Sequence, residues 1–206
     1  MPAYYLLTVG KQVGVYGGPY GGSEYSLVNA CSVCGTGAEC VGPHILPGIR
    51  RAWKGVLVTL DLEILIPDEL AGALKTIGED FLRDVVRPKS GERIPYYELM
   101  PQGILPRFSA QTKGYEIEAQ CPACKRDGHF NIPHVPLQLV YEDVDPSLAK
   151  KDVLCTFEHF GNSKLRTPFK DSGFASPLFV VSERFATCLK ENGARRVELE
   201  EVKGLG

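Results

Sequence analysis

No apolar stretch in the sequence approaches the roughly 18 residues that a membrane span requires, so no span is expected. The first apolar run, Tyr4 to Val9, is too short for a signal-peptide core and has no basic residue before it. It reads as a β-strand, and a cytoplasmic location is expected. Clustered positive charge is also missing. The formal net charge is −2, and apart from short pairs such as Arg50-Arg51 and Arg195-Arg196 the basic residues are scattered. Binding to nucleic acid needs Lys and Arg gathered against phosphates, so nucleic acid is an unfavoured partner. Signatures of catalysis are absent as well. There is no Gly-x-Ser-x-Gly elbow. The stretch Gly17-Gly18-Pro19-Tyr20-Gly21-Gly22 lacks the Gly-Lys-Ser/Thr ending of a phosphate loop and reads as a flexible surface loop. His44, His129, His134 and His159 form neither a helix-spaced pair nor a nucleophile constellation. No catalytic residue is expected, and the chain is not read as an enzyme.

What the sequence does hold is seven cysteines, an odd number that argues against a disulfide framework in a reducing compartment. Four of them form two Cys-x-x-Cys turns, Cys31/Cys34 and Cys121/Cys124. Such a turn points two thiolates to the same side of a tight loop, so two turns complete a tetrahedral site. Gly35 lets the first turn fold back and aim amides at the sulfurs. Pro122 pre-sets the second turn. Lys125 stands where a glycine would be expected, and its charge would offset a dianionic four-thiolate centre. Redox chemistry at one pair would need the pair at the start of a helix, and neither is followed by a helical pattern. Zinc held by Cys31, Cys34, Cys121 and Cys124 is therefore expected. With no open position the ion would be structural, pinning distant parts of the chain. Cys40, His129 and His134 are possible substitutes for one ligand. Cys155 and Cys188 read as small buried hydrophobes.

The length of 206 residues suits one large domain or two small ones, with a core of useful size. Strands are expected at 4–9, 13–16, 115–119 and between Trp53 and Ile66, where Val56, Val58, Leu60, Leu62 and Ile64 would share a face. A helix capped by Asp68 should bury Leu70, Leu74, Ile77, Phe81 and Val85 and end at Pro88. Residues 89–106 are proline-rich and expected to wrap the surface, 128–133 to run extended, and 143–151 to form a loop. The last third reads strand–helix–strand: Pro177 to Val181, a helix capped by Ser182 and stopped at Gly193, then Arg195 to Val202. Glu198, Glu200 and Glu201 read as a solvated strand end or a face for a basic partner. The expected fold class is α+β, with mixed or antiparallel sheets and few helices, pinned by the zinc site. It is a single unit over 1–206, with a zinc-containing part (1–140) and a strand–helix–strand part (141–206) as candidate subdomains.

These residues resemble a family of bacterial double Cys-x-x-Cys-Gly motif proteins that act as immunity proteins to polymorphic toxins. The first motif is intact from Cys31 to Gly35. The second is followed by Arg126-Asp127-Gly128-His129-Phe130, Pro133 and Pro136-Leu137, similar to the family's Arg-x-Gly-x-Phe and proline–leucine return. Val86-Arg87-Pro88 and the closing Val181-Ser182-Glu183-Arg184-Phe185 also fit, while Lys125 departs from the family's glycine. The resemblance implies a non-enzymatic protein that binds and neutralises a cognate protein toxin encoded by an adjacent gene. The alternative is a zinc-containing regulatory or nucleic-acid-binding protein. Loop aromatics Tyr16, Tyr20, Tyr25, Tyr96, Tyr97 and Phe108 are candidate anchors for a partner.

Overall fold

The computed structural model describes residues 3–48, 55–78 and 80–205. Trp53 and the Arg50-Arg51 pair lie outside them. In chain order the elements are β1 (Tyr4–Val9), α1 (Gly18–Gly21), β2 (Glu24–Ser26), β3 (Glu39–Val41), β4 (His44–Ile45), β5 (Leu57–Val58), β6 (Ile64–Pro67), α2 (Asp68–Leu74), β7 (Leu82–Val86) and β8 (Arg93–Leu99). Then follow β9 (Tyr115–Ile117), β10 (His129–Asn131), β11 (Val153–Phe160), β12 (Ser176–Ser182), α3 (Glu183–Glu191) and β13 (Val197–Val202). This is an α+β fold with short helices. A four-stranded antiparallel sheet runs β11-β12-β1-β13, and a five-stranded mixed sheet runs β4-β7-β8-β6-β5, with β4 parallel to β7. The pairs β2-β3 and β9-β10 complete it.

The apolar run Tyr4 to Leu7 in β1 follows from its place between β12 and β13, with cores against both faces. Tyr4 and Leu6 enter one core with Leu105, Leu139, Tyr141 and Val180. Leu7 enters another with Phe81, Val153, Val181 and Phe185. A boundary near residue 140 would thus cut through one hydrogen-bonded sheet. The C-terminal strand–helix–strand reading holds: the Ser182 hydroxyl accepts from the Phe185 amide at the start of α3, and Gly193 takes φ +66° just beyond its end. Glu198, Glu200 and Glu201 are exposed on β13, an edge strand.

Several local expectations are corrected. The long helix over 68–87 is instead the seven-residue α2, a turn and then β7. Leu70, Leu74 and Phe81 are still buried together, so one apolar stripe serves two elements. Gly72, Gly78 and the β-branched Val85-Val86 weaken helix propagation, and β8 supplies a ladder for Val86 instead. The cap of α2 is Pro67, with Asp68 already helical. Second, the single strand ending at Ile66 is a hairpin, pairing Leu57 with Leu65 and Val58 with Ile64. Leu62 sits in its turn at φ +65° and is exposed, while Asp61 and Glu63 turn toward a cavity. Third, the stretch 89–106 contains β8, between β7 and β6 in its sheet. The ladder shifts register between Asp84/Tyr97 and Val86/Arg93, which accommodates Pro95 and its missing N–H. Fourth, the Gly17–Gly22 loop is largely buried and contains α1. Residues 13–16 form no named strand; nearby, Gln12 makes a single parallel bridge to Val58. β11 had no counterpart in the sequence reading, because its near-continuous burial leaves no alternation to detect. Among the described residues no helix is long and apolar enough to cross a membrane.

Candidate metal centre

Each Cys-x-x-Cys segment closes by the same backbone bond. The Gly35 amide donates to the Cys31 carbonyl at 2.8 Å, and the Lys125 amide donates to the Cys121 carbonyl at 3.0 Å. The residue after each second cysteine takes a left-handed conformation, Gly35 at φ +85° and Lys125 at φ +53°. The lysine therefore keeps the turn at some backbone cost, which leaves the second turn's shape intact. Gly35 has no such freedom to vary, because a Cβ there would collide with the Phe174 ring.

The fold brings the two turns together across 90 residues of sequence. Cys31 Sγ lies 4.0 Å from Cys121 Sγ, and Cys34 Sγ lies 3.6 Å from Cys124 Sγ. All four sulfurs fall within 4.8 Å of one another. A tetrahedral ion with bonds of ~2.3 Å to sulfur separates its ligands by about 3.8 Å, so the observed spacings fit such an ion. They exceed the ~2.05 Å of a disulfide, and all four cysteines are free. In the absence of an ion, amides of the first turn, led by that of Cys34, hold the Cys31 thiol down to about 7. Burial pushes the Cys34 thiol up to about 12 and also raises Cys124. A cation is what would let these two thiols ionise together.

Polar side chains that the sequence reading missed hold the turns in place. Asp127 is 2% exposed and accepts from the Cys121 amide at 2.9 Å and from the Ser163 amide at 3.1 Å. Thr36 places its hydroxyl 3.0 Å from Cys34 Sγ and donates to Ser163 Oγ at 2.7 Å; Ser163 Oγ also accepts from the Ala175 amide. One chain of contacts thus links both turns to the loop after β11. The visible clue was Asp127 beside Gly128, whose positive φ of 77° lets the strand return close over the Glu118 carbonyl.

The three possible substitutes stand apart from the four-cysteine group. His129 is buried among Phe108, Tyr115 and Phe160, with its pKa lowered by desolvation. His134 sits at φ +64° and belongs to no potential metal group among the described residues. Cys40 lies beside His44 and Glu98 instead. Cys155 is buried, and Cys188 packs partly buried against the core.

Comparison of the chain with protein-family models and with curated proteins finds no match.

Proposed function

We propose that this protein is an immunity-type binding protein. It neutralises a cognate protein toxin by forming a stoichiometric complex, and a structural zinc ion in the four-cysteine centre holds the binding surface in shape. The observation that carries this reading is the exposed apolar character of the segment that supplies the first cysteine turn. Four sulfurs fill a tetrahedron, so the ion has no position for water or substrate. Yet the segment around the first turn exposes large apolar side chains: Leu27, Val28 and Val33, with Tyr16, Tyr20 and Val41 nearby in sequence. Exposed apolar side chains concentrated in one segment are a feature of partner-binding surfaces. The double Cys-x-x-Cys resemblance supports the same reading.

Burial sorts the candidate aromatic anchors. Tyr16 and Tyr20 are half exposed with ring centroids 5.6 Å apart, which leaves them available to a partner. Tyr96 is buried, Tyr25 packs on Phe169 and Phe174, Phe108 packs on Tyr115, and Tyr97 is covered by Lys75 and Arg93. If the toxin is a nuclease, the carboxylates of β13 offer a face for its basic cleft, and association should slow as salt rises. The test is co-expression with the adjacent gene's product in a sensitive host. Restored growth and a one-to-one complex are expected. No complex with that product, together with turnover of a substrate by the purified protein, would refute the reading.

A further inference from the structure

A second group of potential ligands lies away from the four-cysteine centre. It joins Cys40 in β3, His44 in β4 and Glu98 in β8, whose ligand atoms all lie within 4.8 Å of one another. His44 is fully buried, and neither ring nitrogen has a hydrogen-bond partner among the described residues. Its nearest acceptors stand off at 3.6 Å, Glu98 Oε2 from Nδ1 and Glu63 Oε2 from Nε2. A buried imidazole left this way forfeits its hydrogen bonds, so the arrangement calls for something between the groups. The Nδ1–Oε2 separation is close to the roughly 3.4 Å that two ligands at ~2.1 Å subtend around a tetrahedral ion.

Three further observations define what belongs there. The first is charge: Glu39, Asp61, Glu63 and Glu98 line one cavity with two guanidinium groups, Arg126 and Arg83, the latter with its Nη1 3.3 Å from Glu98 Oε2. One Asp61 oxygen is also buried without a hydrogen-bond partner among the described residues. Four carboxyl groups against two guanidinium groups, before Cys40 is counted, make an acid-rich lining that suits a divalent cation better than an anion. The second is how firmly Glu63 is held. It accepts from the Gly18 amide at 2.9 Å and the Thr59 hydroxyl at 2.5 Å. The buried glycine loop makes this approach possible, since a Cβ at Gly17 would collide with both His44 and Glu63. A fixed carboxylate 3.6 Å from Nε2 favours the proton on that nitrogen and leaves the Nδ1 lone pair for a metal. The third is space: Cys40 and Glu98 border a cavity of about 480 Å³.

We propose that Cys40 Sγ, His44 Nδ1 and the Glu98 carboxylate bind a second divalent transition-metal ion, with its fourth position open to this cavity. The mixed sulfur, nitrogen and oxygen set suits zinc or cobalt over magnesium or calcium. Three protein ligands and one open position would leave this ion able to hold water or a small ligand, unlike the closed four-thiolate centre. Arg83 steadies Glu98.

The proposal stands independently of the partner-binding reading. Its test is titration of the metal-free full chain with Co²⁺, following absorption and metal content per chain. Two equivalents are expected, one with the intense sulfur charge-transfer bands of a four-thiolate centre and one with weaker bands from a single thiolate. Glu98→Gln and Cys40→Ala should each bind one equivalent and retain the four-thiolate spectrum, which also reports that the variant has folded. Cys34→Ser should lose the intense bands. A single equivalent in the wild type, or a second equivalent that survives both Glu98→Gln and Cys40→Ala, overturns the proposal.

Discussion

Replacing Lys125 with glycine should stabilise the protein, although it deletes a long side chain. Lys125 is exposed and holds φ +53° in the second turn. A left-handed conformation costs a residue with a Cβ about 1–2 kcal/mol. Glycine removes that cost but adds about 0.4–1 kcal/mol of freedom to the unfolded chain. The net expectation is a gain of roughly 0.5–1 kcal/mol. The equivalent change in the first turn should go the other way. Gly35→Ala acquires the left-handed cost and drives a methyl into Phe174. Overpacking of this kind adds about 1–3 kcal/mol, for a total loss of roughly 2–4 kcal/mol. Urea unfolding at fixed free zinc, with metal content measured on each variant, reads both effects. If Lys125→Gly lowers the unfolding midpoint and the zinc content together, the lysine's charge matters more than its backbone, and the conformational argument fails.

Cys34→Ser should lose the metal of the four-thiolate centre and unfold at lower denaturant, because the clamp joins segments 90 residues apart; an unchanged melting temperature and metal content would refute the clamp. Cys188→Ala, at the edge of a core, should cost only about 1 kcal/mol in the same unfolding assay. Burial depresses His159 from 6.5 to about 4, so the folded state resists the proton that the unfolded state accepts. Stability attributable to this residue is intact above about pH 6.5 and lost as pH falls toward 4, by at most about 3 kcal/mol. His159→Gln should flatten that acid limb of the stability profile, and an unchanged limb would show that other groups set it. If the proposed partner complex forms, Tyr20→Ala should weaken it at least tenfold by calorimetry while leaving the melting temperature within a degree or two.

Where one residue pattern had one structural solution, the sequence was a sound guide. The two Cys-x-x-Cys turns met as their chemistry required, and Ser182, Phe185 and Gly193 marked both ends of α3. Ambiguity arose where a period was shared. Leu70, Leu74, Phe81 and Val85 repeat as in a helix, but the chain reaches the same burial with a short helix and a strand. Alternation from Val56 to Ile64 suited one strand equally well, and the turn at Leu62 hid inside it. The carboxylate cavity was illegible for a different reason. Asp61, Glu63, Arg83 and Glu98 come from three separate strands or turns, and only the pairing of β6, β7 and β8 sets them together.

The position of β1 between β12 and β13 has a consequence for biosynthesis. A ribosome adds about 5–20 residues per second. The Tyr4–Val9 segment therefore emerges about 10–40 s before its second neighbour, β13, has been made. Until β12 is made an apolar strand has both edges unpaired, a form that recruits other chains. Nascent chains stalled before residue 176 should accordingly depend on a chaperone to stay soluble, and those released after residue 202 should not.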